Sequence, residues 1–364
     1  MSVVLSLLAA CAVACNLIAP SEAGESASLT AEEFGAVADD EIDDTAALQA
    51  ALDALSPGGV LVLRAGTYRH GDVLAVRVPG VRIEGAARLL ATTEERSAFH
   101  IAAPGIVVDG IAFGVASTTR RWFAFEQMKI RVSADDTVLR DVVVEGSAAA
   151  GIHIGEGAGG FTVERASVSN TRADGIHVTG AAHDGVIDRA TTAATGDDGV
   201  AVVSYATDPG PCRNIAVRSP TVLGTTWGRG ISVVGGENVV YTDITVQDTD
   251  SAGVYVAVEP DPYFTRSVRE VRVIGGTVER ANRNAGIDHG SVLVYLGRAD
   301  HEIVDVRIEG LQITGTRRSA SSDVTVRSDG VPPRFLTFAD LEIEDGPATR
   351  YGGNVPAEFY SVSG

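Results

Sequence analysis

The stretch "TRADGIHVTG" (residues 171–180) is followed by "TGDDGVAVVS" (195–204), and in both an aspartate and a glycine precede alternating apolar residues. A glycine that begins a short apolar run recurs at residues 151, 175, 199, 230 and 253, at intervals of 24, 24, 31 and 23 residues. A repeat of about two dozen residues with short β-type runs is typical of a solenoid, in which each repeat stacks on the next.

Further runs rich in valine and isoleucine fill the rest of each repeat, and they alternate with the two-residue period of a strand. They begin near residues 105, 136, 214, 238, 270 and 302. Glycine, asparagine and aspartate, which favour turns, separate them. The pattern predicts an all-β fold: a single-stranded, right-handed parallel β-helix over residues 30–364.

The alternation also assigns a face to each side chain of the repeated strand. One set is expected to stack inside the helix: Ile152, Ile176, Val200, Ile231 and Val254. The other set is expected to form an outer ladder with about 4.8 Å between coils: His153, His177, Ala201, Ser232 and Tyr255. We expect this ladder to line a groove, and the inserted segment 258–270 to form one of its walls.

The segment 34–69 predicts how the solenoid begins. Asp44 or Thr45 is expected to cap a helix over residues 44–55 that closes the open end of the solenoid. The segment resembles the N-terminal cap of the pectate-lyase-like superfamily of right-handed β-helix proteins. After about residue 345 we expect irregular structure.

Composition restricts the partners and the chemistry. The net charge is −19, which argues against nucleic acid and anionic membranes, since both require clustered Lys and Arg. Lys129 is the only lysine and lies far upstream of the groove, which argues against a lysine base or Schiff base. We expect a monomer.

The apolar N-terminus predicts export. Residues 1–23 are consistent with a signal peptide cleaved after Ala23, and "LAAC" resembles a lipobox that would leave residues 1–10 as the signal and Cys11 as a lipid anchor. We therefore expect a protein that is secreted or lipid-anchored at the cell surface. After cleavage at Ala23 only Cys212 remains, so no internal disulfide can form.

Three aspartates form the candidate catalytic site. Asp174 and Asp198 each precede a repeated glycine on adjacent coils, and Asp197 is beside Asp198. Carboxyl groups this close raise at least one pKa, so that one group can serve as an acid while another stays ionised, as glycosidic cleavage requires. The alternative is that they only form turns, since Asp-Gly is a common turn sequence.

The motifs "NTRADG" and "GDDG" resemble those of polygalacturonase-type glycoside hydrolases and of α-1,3-glucanases. The resemblance implies that Asp197 is the general acid and that Asp174 and Asp198 act on water. It also implies an inverting mechanism, for which carboxyl groups are typically about 6.5–9.5 Å apart.

The sequence departs from polygalacturonases at two places. Arg229 replaces a histidine, and Tyr255 and Ala257 replace the basic residues that bind a uronate carboxylate. These departures, together with the acidic charge of the chain, argue against polygalacturonan and favour a polysaccharide or oligosaccharide that is neutral or weakly charged. Arg229 is either a partner of the aspartates or a substrate-binding residue.

Other candidate substrate-binding residues lie near the groove. Tyr205, Trp227, Tyr255 and Tyr263 could stack on sugars. His177 is a candidate to replace the missing histidine, and His153 is expected to flank the cleft. The spacing matches no metal motif, and we expect no cofactor; His183 and His289 are expected at the surface.

Two other function classes are compatible with this fold. A lyase or epimerase on uronate-containing glycans would need a base and a cation to neutralise the substrate carboxylate. A non-catalytic glycan-binding or spike-like protein would not need the aspartates for turnover.

Overall fold

The computed structural model describes residues 28–364. The expected signal peptide and the lipid-anchor candidate Cys11 lie outside the described residues. Within the described part of the chain, no helix is long and apolar enough to cross a membrane. The described residues form one α-helix, α1 (Thr45–Asp53), and three 3₁₀ helices: Ala31–Phe34, Phe125–Gln127 and Ala357–Phe359.

Strands make up most of the remaining regular structure. In chain order they are β1 (Ser28–Thr30), β2 (Val60–His70), β3 (Leu74–Val76), β4 (Arg82–Ala91), β5 (Phe99–Ile101), β6 (Val107–Asp109), β7 (Ala112–Val115), β8 (Ile130–Val132), β9 (Val138–Arg140), β10 (Val143–Ser147), β11 (Ile152–Ile154), β12 (Thr162–Glu164), β13 (Ser167–Thr171), β14 (Ile176–Val178), β15 (His183–Asp188), β16 (Thr191–Thr195), β17 (Val200–Val203), β18 (Arg213–Arg218), β19 (Thr221–Thr225), β20 (Ile231–Val234), β21 (Gly236–Gln247), β22 (Val254–Val258), β23 (Val268–Glu279), β24 (Val292–Leu296), β25 (Ile303–Thr314), β26 (Val324–Ser328), β27 (Arg334–Ala339), β28 (Glu342–Glu344), β29 (Tyr351–Gly353) and β30 (Tyr360–Ser363).

The strands confirm the predicted parallel β-helix. Each coil contributes one strand to an 11-stranded sheet, in the order β3, β5, β8, β11, β14, β17, β20, β22, β24, β26 and β29, and a 19-stranded sheet contains the others. In the repeated strand, Ile176 pairs in parallel with Ile152 on one side and with Val200 on the other. The predicted inner ladder is buried throughout, with each side chain at most 1% exposed.

The repeated glycine is required by the distance between coils. A Cβ atom on Gly175 would lie 2.6 Å from the carbonyl oxygen of Gly199, and one on Gly199 would lie 2.6 Å from that of Gly230. The next coil therefore leaves no room for a side chain at these positions. This packing explains the glycine of each Asp-Gly pair and leaves the aspartates to be explained separately.

Helix α1 closes the N-terminal end, as predicted, and buries Leu48, Ala51 and Leu52 against the core. Asp43 accepts a hydrogen bond from the Thr45 backbone N–H at 2.8 Å.

The prediction of irregular structure after residue 345 is wrong. β29 pairs with β26, and β30 pairs with β27, so the coils continue to the C-terminus. Tyr351 and Tyr360 both pack on Phe338, with ring centroids 5.8 Å apart in each case. The two tyrosines cover apolar core that would otherwise be exposed at this end.

The outer ladder is not open along its whole length. From the coil of Ala201 onward it is covered by a second apolar cluster, which includes Val234, Tyr255 and Leu293. Ala201, Ser232 and Tyr255 are at most 3% exposed. Of the predicted outer ladder, His153 and His177 therefore line the groove, whereas Ala201, Ser232 and Tyr255 do not.

Candidate active site

A cavity of about 670 Å³ lies over the outer face of β11, β14 and β17. Segments 116–127, 204–212 and 259–267, which connect strands, supply its walls. The segments 204–212 and 259–267 are tied together, because the Ala206 N–H donates to the Phe264 carbonyl oxygen at 2.7 Å. The cavity brings together nine of the ten sequence-predicted site residues: Asp174, Asp197, Asp198, His153, His177, Tyr205, Trp227, Arg229 and Tyr263.

Asp174 and Asp198 each use one carboxylate oxygen to hold the next coil. Oδ1 of Asp174 accepts a hydrogen bond from the Asp198 backbone N–H at 2.9 Å. Oδ1 of Asp198 accepts one from the Arg229 backbone N–H at 2.8 Å. One oxygen of each residue therefore has a structural role, which is to join neighbouring coils rather than to form a turn, since the partners are 24 and 31 residues apart.

Their second oxygens meet side chains. Oδ2 of Asp198 accepts a hydrogen bond from the Ser232 hydroxyl at 2.5 Å. Oδ2 of Asp174 lies 2.6 Å from Nδ1 of His177. Burial raises the pKa of Asp174, but the adjacent His177, Arg121 and the donated N–H outweigh burial and hold that pKa below its usual range. Asp174 is thus ionised near neutral pH.

Asp197 differs from its two neighbours because it has no such backbone role. Arg121 donates a hydrogen bond to its Oδ2 at 2.6 Å, while Oδ1 is buried and has no hydrogen-bond partner. Burial, together with the charges of Asp174 and Asp198, raises the pKa of Asp197 to about 8, although Arg121 acts in the opposite direction. Near neutral pH this site therefore holds a protonated carboxyl group beside an ionised one.

The three carboxyl groups form one cluster. One oxygen from each aspartate lies within 4.8 Å of the other two. Oxygens this close could also hold a divalent cation such as Ca²⁺.

A row of rings forms one wall along the outer ladder. The centroids of Phe125 and His153 are 5.5 Å apart, those of His153 and His177 are 5.7 Å apart, and those of His177 and Tyr205 are 6.4 Å apart. Burial, with smaller contributions from His177 and Arg131, lowers the pKa of His153 to about 3, so this imidazole is neutral.

Arg229 links the aspartates to a second buried network. Its guanidinium lies 2.8 Å from Glu259 and 3.6 Å from Asp198, and it is stacked 4.2 Å above the ring of Tyr255. The Tyr255 hydroxyl donates to Glu259 at 2.9 Å. Arg229 is therefore a partner of the aspartates and also lines the cavity.

Tyr255 does not line the cavity, contrary to the expectation that it stacks on sugar. It is 3% exposed, because Arg229 covers one part of it and His289 stacks on its ring at 6.1 Å. Among the other aromatic candidates, Trp227 and Tyr263 are about half exposed at the cavity, with 49% and 48% of their surface accessible. His289, expected at the surface, is half-buried here.

Comparisons with known proteins agree with this architecture. The family model of the rhamnogalacturonase A/epimerase, pectate lyase-like proteins matches residues 29–255, more than half of the chain. The chain belongs to this family. No curated protein matches it significantly in sequence.

Solved structures similar to this family member include two kinds of enzyme. The A-module of mannuronan C-5 epimerase AlgE4 from Azotobacter vinelandii has 15% identity and a TM-score of 0.63, and the match covers 92% of this chain and 100% of that one. The catalytic unit of a thermostable GH87 α-1,3-glucanase from Streptomyces thermodiastaticus has 16% identity and a TM-score of 0.63, with 93% and 69% covered. A GH87 α-1,3-glucanase catalytic domain in complex with tetrasaccharides has 16% identity and a TM-score of 0.67, with 91% and 68% covered. At these identities the likeness shows the fold.

Sequence reasoning missed several residues of this family member's cavity. Arg121, Phe123 and Phe125 come from the insertion 116–127, and Glu259 comes from the insertion after β22. The insertion "RRWFAF" carries three aromatic residues in a chain that is only 5% aromatic, and this clustering was an available signal. Nothing in the repeat indicated that Arg121 would reach Asp197, which is 76 residues away in sequence.

The cavity is acidic. Among the described residues that line it are two guanidinium groups, on Arg121 and Arg229, and both contact carboxylates. Six carboxyl groups line the same cavity: Glu156, Asp174, Asp197, Asp198, Asp208 and Glu259.

Proposed function

We propose that this protein is a carbohydrate-active enzyme that hydrolyses glycosidic bonds in a neutral or weakly charged glycan. The observation that carries the proposal is the pairing of Asp197 with Asp174. The pKa of Asp197 is raised to about 8, its Oδ1 is unpartnered, and it lies beside the ionised Asp174. Glycosidic hydrolysis requires a proton donor for the leaving oxygen and a carboxylate on the attacking side.

Asp197 is the proposed general acid, because its pKa is raised to about 8 while that of Asp174 is lowered, and because its carboxyl group is the one of the three that accepts no hydrogen bond from a backbone N–H of the next coil. Asp174 and Asp198 are proposed to hold and deprotonate water. Both oxygens of Asp198 already accept hydrogen bonds, and those of Asp174 face the Asp198 N–H and His177. Water as the nucleophile, with inversion of configuration, is the mechanism that the resemblance of the aspartate motifs implies, and it is the one proposed here.

The charge of the cavity supports a neutral substrate. A uronate carboxylate would meet an excess of carboxyl groups, and both guanidinium groups are already paired. The solved α-1,3-glucanases that share the fold bind nigerose and tetrasaccharides, so α-1,3-glucan is the first substrate to test. We also propose export, through the N-terminal segment outside the described residues.

A glycan panel tests the proposal. Wild-type protein and D197N would be incubated with α-1,3-glucan, α-1,4-glucan, β-1,3-glucan, β-1,4-galactan, polygalacturonan and mannuronan. The expected result is release of reducing ends from a neutral glycan, lowered by a factor on the order of 10² or more in D197N, as for loss of a general acid. Substrates with a good leaving group should partly rescue D197N, and should not rescue D174N or D198N.

The second candidate is a lyase or epimerase that abstracts a proton beside a uronate carboxylate. The contact between His177 and Asp174, with Tyr205 next to His177 and Arg121 and Arg229 in the cavity, favours this alternative, because it supplies basic groups and cations together. Ultraviolet absorbance from an unsaturated product would identify a lyase, and conversion of mannuronan without chain cleavage would identify an epimerase. Binding without turnover of any glycan, unchanged by D197N, would instead indicate a non-catalytic module.

A further inference from the structure

A second cavity of about 830 Å³ adjoins the catalytic cavity, and we refer to it as the side cavity. It lies over the turns that precede the repeated strand, so it is next to the catalytic cavity around the circumference of the coil. Its volume lies within the range of about 300–1,000 Å³ that is common for ligand sites. Five residues line both cavities and separate them: Arg121, Phe123, Tyr205, Trp227 and Tyr263.

The five residues that separate the two cavities form a partition and include Arg121, whose contact with Asp197 lowers the pKa of the proposed acid. Arg121 lines both cavities and donates to Asp197, and Gly196, the residue before Asp197, lines the side cavity. The guanidinium carbon of Arg121 lies 5.5 Å from the ring centroid of Phe123 and 5.7 Å from that of Trp227. The acid is thus held at the boundary between the two cavities.

The lining of the side cavity matches the surface of a sugar ring, which has polar edges and an apolar face. Asn170 and Arg172, on the coil of β13, and Thr226, two coils further on, are exposed polar side chains. Phe123 is 77% exposed and gives the side cavity an apolar face. A site with aromatic faces and hydrogen-bonding groups suits a neutral glycan.

The wall of the side cavity is fastened to the coils. Arg172 donates hydrogen bonds to the Thr118 hydroxyl at 2.9 Å and to the Thr118 carbonyl oxygen at 2.7 Å. These bonds hold segment 116–127, which carries Phe123 and Arg121, against the coil of β13. The cavity is therefore built from a fixed loop as well as from the coils.

We propose that the side cavity binds a further sugar unit of the glycan, on the opposite side of Asp197 from the sugar in the catalytic cavity. The proposal rests on the proposed function. A glycan that occupies both cavities crosses the partition beside Asp197, which places a glycosidic bond within reach of the acid. The protein would then act on internal bonds of a chain and bind long oligosaccharides more tightly than a disaccharide.

Binding measurements on D197N protein, which cannot turn substrate over rapidly, test this inference. The probes are oligosaccharides from disaccharide to hexasaccharide of the α-1,3-glucan, α-1,4-glucan, β-1,3-glucan and β-1,4-galactan series, titrated by calorimetry. In one of these series we expect the affinity for the hexasaccharide to exceed the affinity for the disaccharide by about tenfold or more. Thr226→Trp fills the side cavity from an exposed position, and should reduce the affinity for the long members to that for the disaccharide. Phe123→Ala removes an aromatic face and should weaken the long members in the same direction.

Phe335→Ala is the matched control, because Phe335 is 75% exposed and lies outside both cavities. It should leave every affinity unchanged, and the melting temperature of each variant confirms folding. An affinity that does not depend on length, or a dependence that persists in Thr226→Trp and Phe123→Ala, overturns the side-cavity inference and leaves the proposed function standing. Absence of binding in every series counts against the proposed function itself and removes the inference with it.

Discussion

Replacing Arg121 by methionine tests how the proposed acid is controlled. Nη1 of Arg121 lies 2.6 Å from Oδ2 of Asp197, and a cation there favours the ionised carboxylate. With the two delocalised charges centred roughly 4 Å apart, the attraction is about 4 kcal/mol at an effective dielectric constant of about 20. The Arg121 side chain is 33% exposed, so we discount this for solvent screening to about 2 kcal/mol.

Two kcal/mol corresponds to an increase of about 1.5 in the pKa of Asp197, which is about 8 with Arg121 present. Removing the cation makes the proton harder to lose, so the acid stays protonated at higher pH. We therefore expect the alkaline limb of the kcat/KM profile to move upward by about 1.5 pH units in Arg121→Met. Above pH 8 the variant should retain a larger fraction of its own maximal activity than the wild type does.

The assay is a pH profile on whichever glycan the panel identifies, with carbon-13 NMR of aspartate carboxyl groups as a measurement that needs no substrate. Arg121→Lys keeps the charge and should keep the limb near its wild-type position. Arg120→Met is the matched control, because it removes the same charge from the same segment. The Arg120 guanidinium stacks on Trp122, 3.8 Å from its ring centroid. An alkaline limb that stays in place or moves downward in Arg121→Met would refute the reasoning.

Three further predictions follow from the same geometry. The pKa of Asp197 is 3.8 in its unperturbed state and about 8 in the folded protein, so the wild type should lose stability as the pH rises between those values. D197N lacks this titration, and its melting temperature should exceed that of the wild type by an amount that grows over this pH range. Parallel curves of melting temperature against pH for the two proteins would contradict the assigned pKa. Tyr255→Ala should destabilise the protein by about 3–5 kcal/mol in denaturant unfolding, because the ring is buried. Trp227→Ala, at a half-exposed position, should change the stability by about 0.5 kcal/mol or less and should raise KM. The reverse ranking of the two variants would show that Tyr255 is the sugar-binding residue. Early-time NMR of the product should show inverted configuration, and retention would identify a carboxylate nucleophile.

Much of the fold could be read from the sequence because a solenoid converts a period into contacts. Residues one repeat apart, such as Ile152 and Ile176, become neighbours as soon as the coils stack, so the inner ladder followed directly from the spacing. The C-terminal coils were missed because their glycine and valine pattern weakens after residue 345, and Tyr351 and Tyr360 are placed by packing on Phe338 rather than by the repeat.

The same stacking allowed the sequence by itself to determine that Asp174, Asp197 and Asp198 lie together. The resemblance implied that Asp197 is the acid, and only the tertiary structure shows what distinguishes it: backbone N–H groups of the next coil donate to Asp174 and Asp198, while Asp197 accepts a hydrogen bond from Arg121 and its other oxygen is buried without a partner. Arg121 contacts Asp197 from a segment that has no sequence repeat and lies 76 residues away in sequence. Neither the spacing of the repeat nor the alternation of apolar residues could predict this contact. Burial decided which outward-pointing residues of the ladder can contact substrate. Tyr255 cannot, because Arg229 covers part of its ring and the ring belongs to the second apolar cluster.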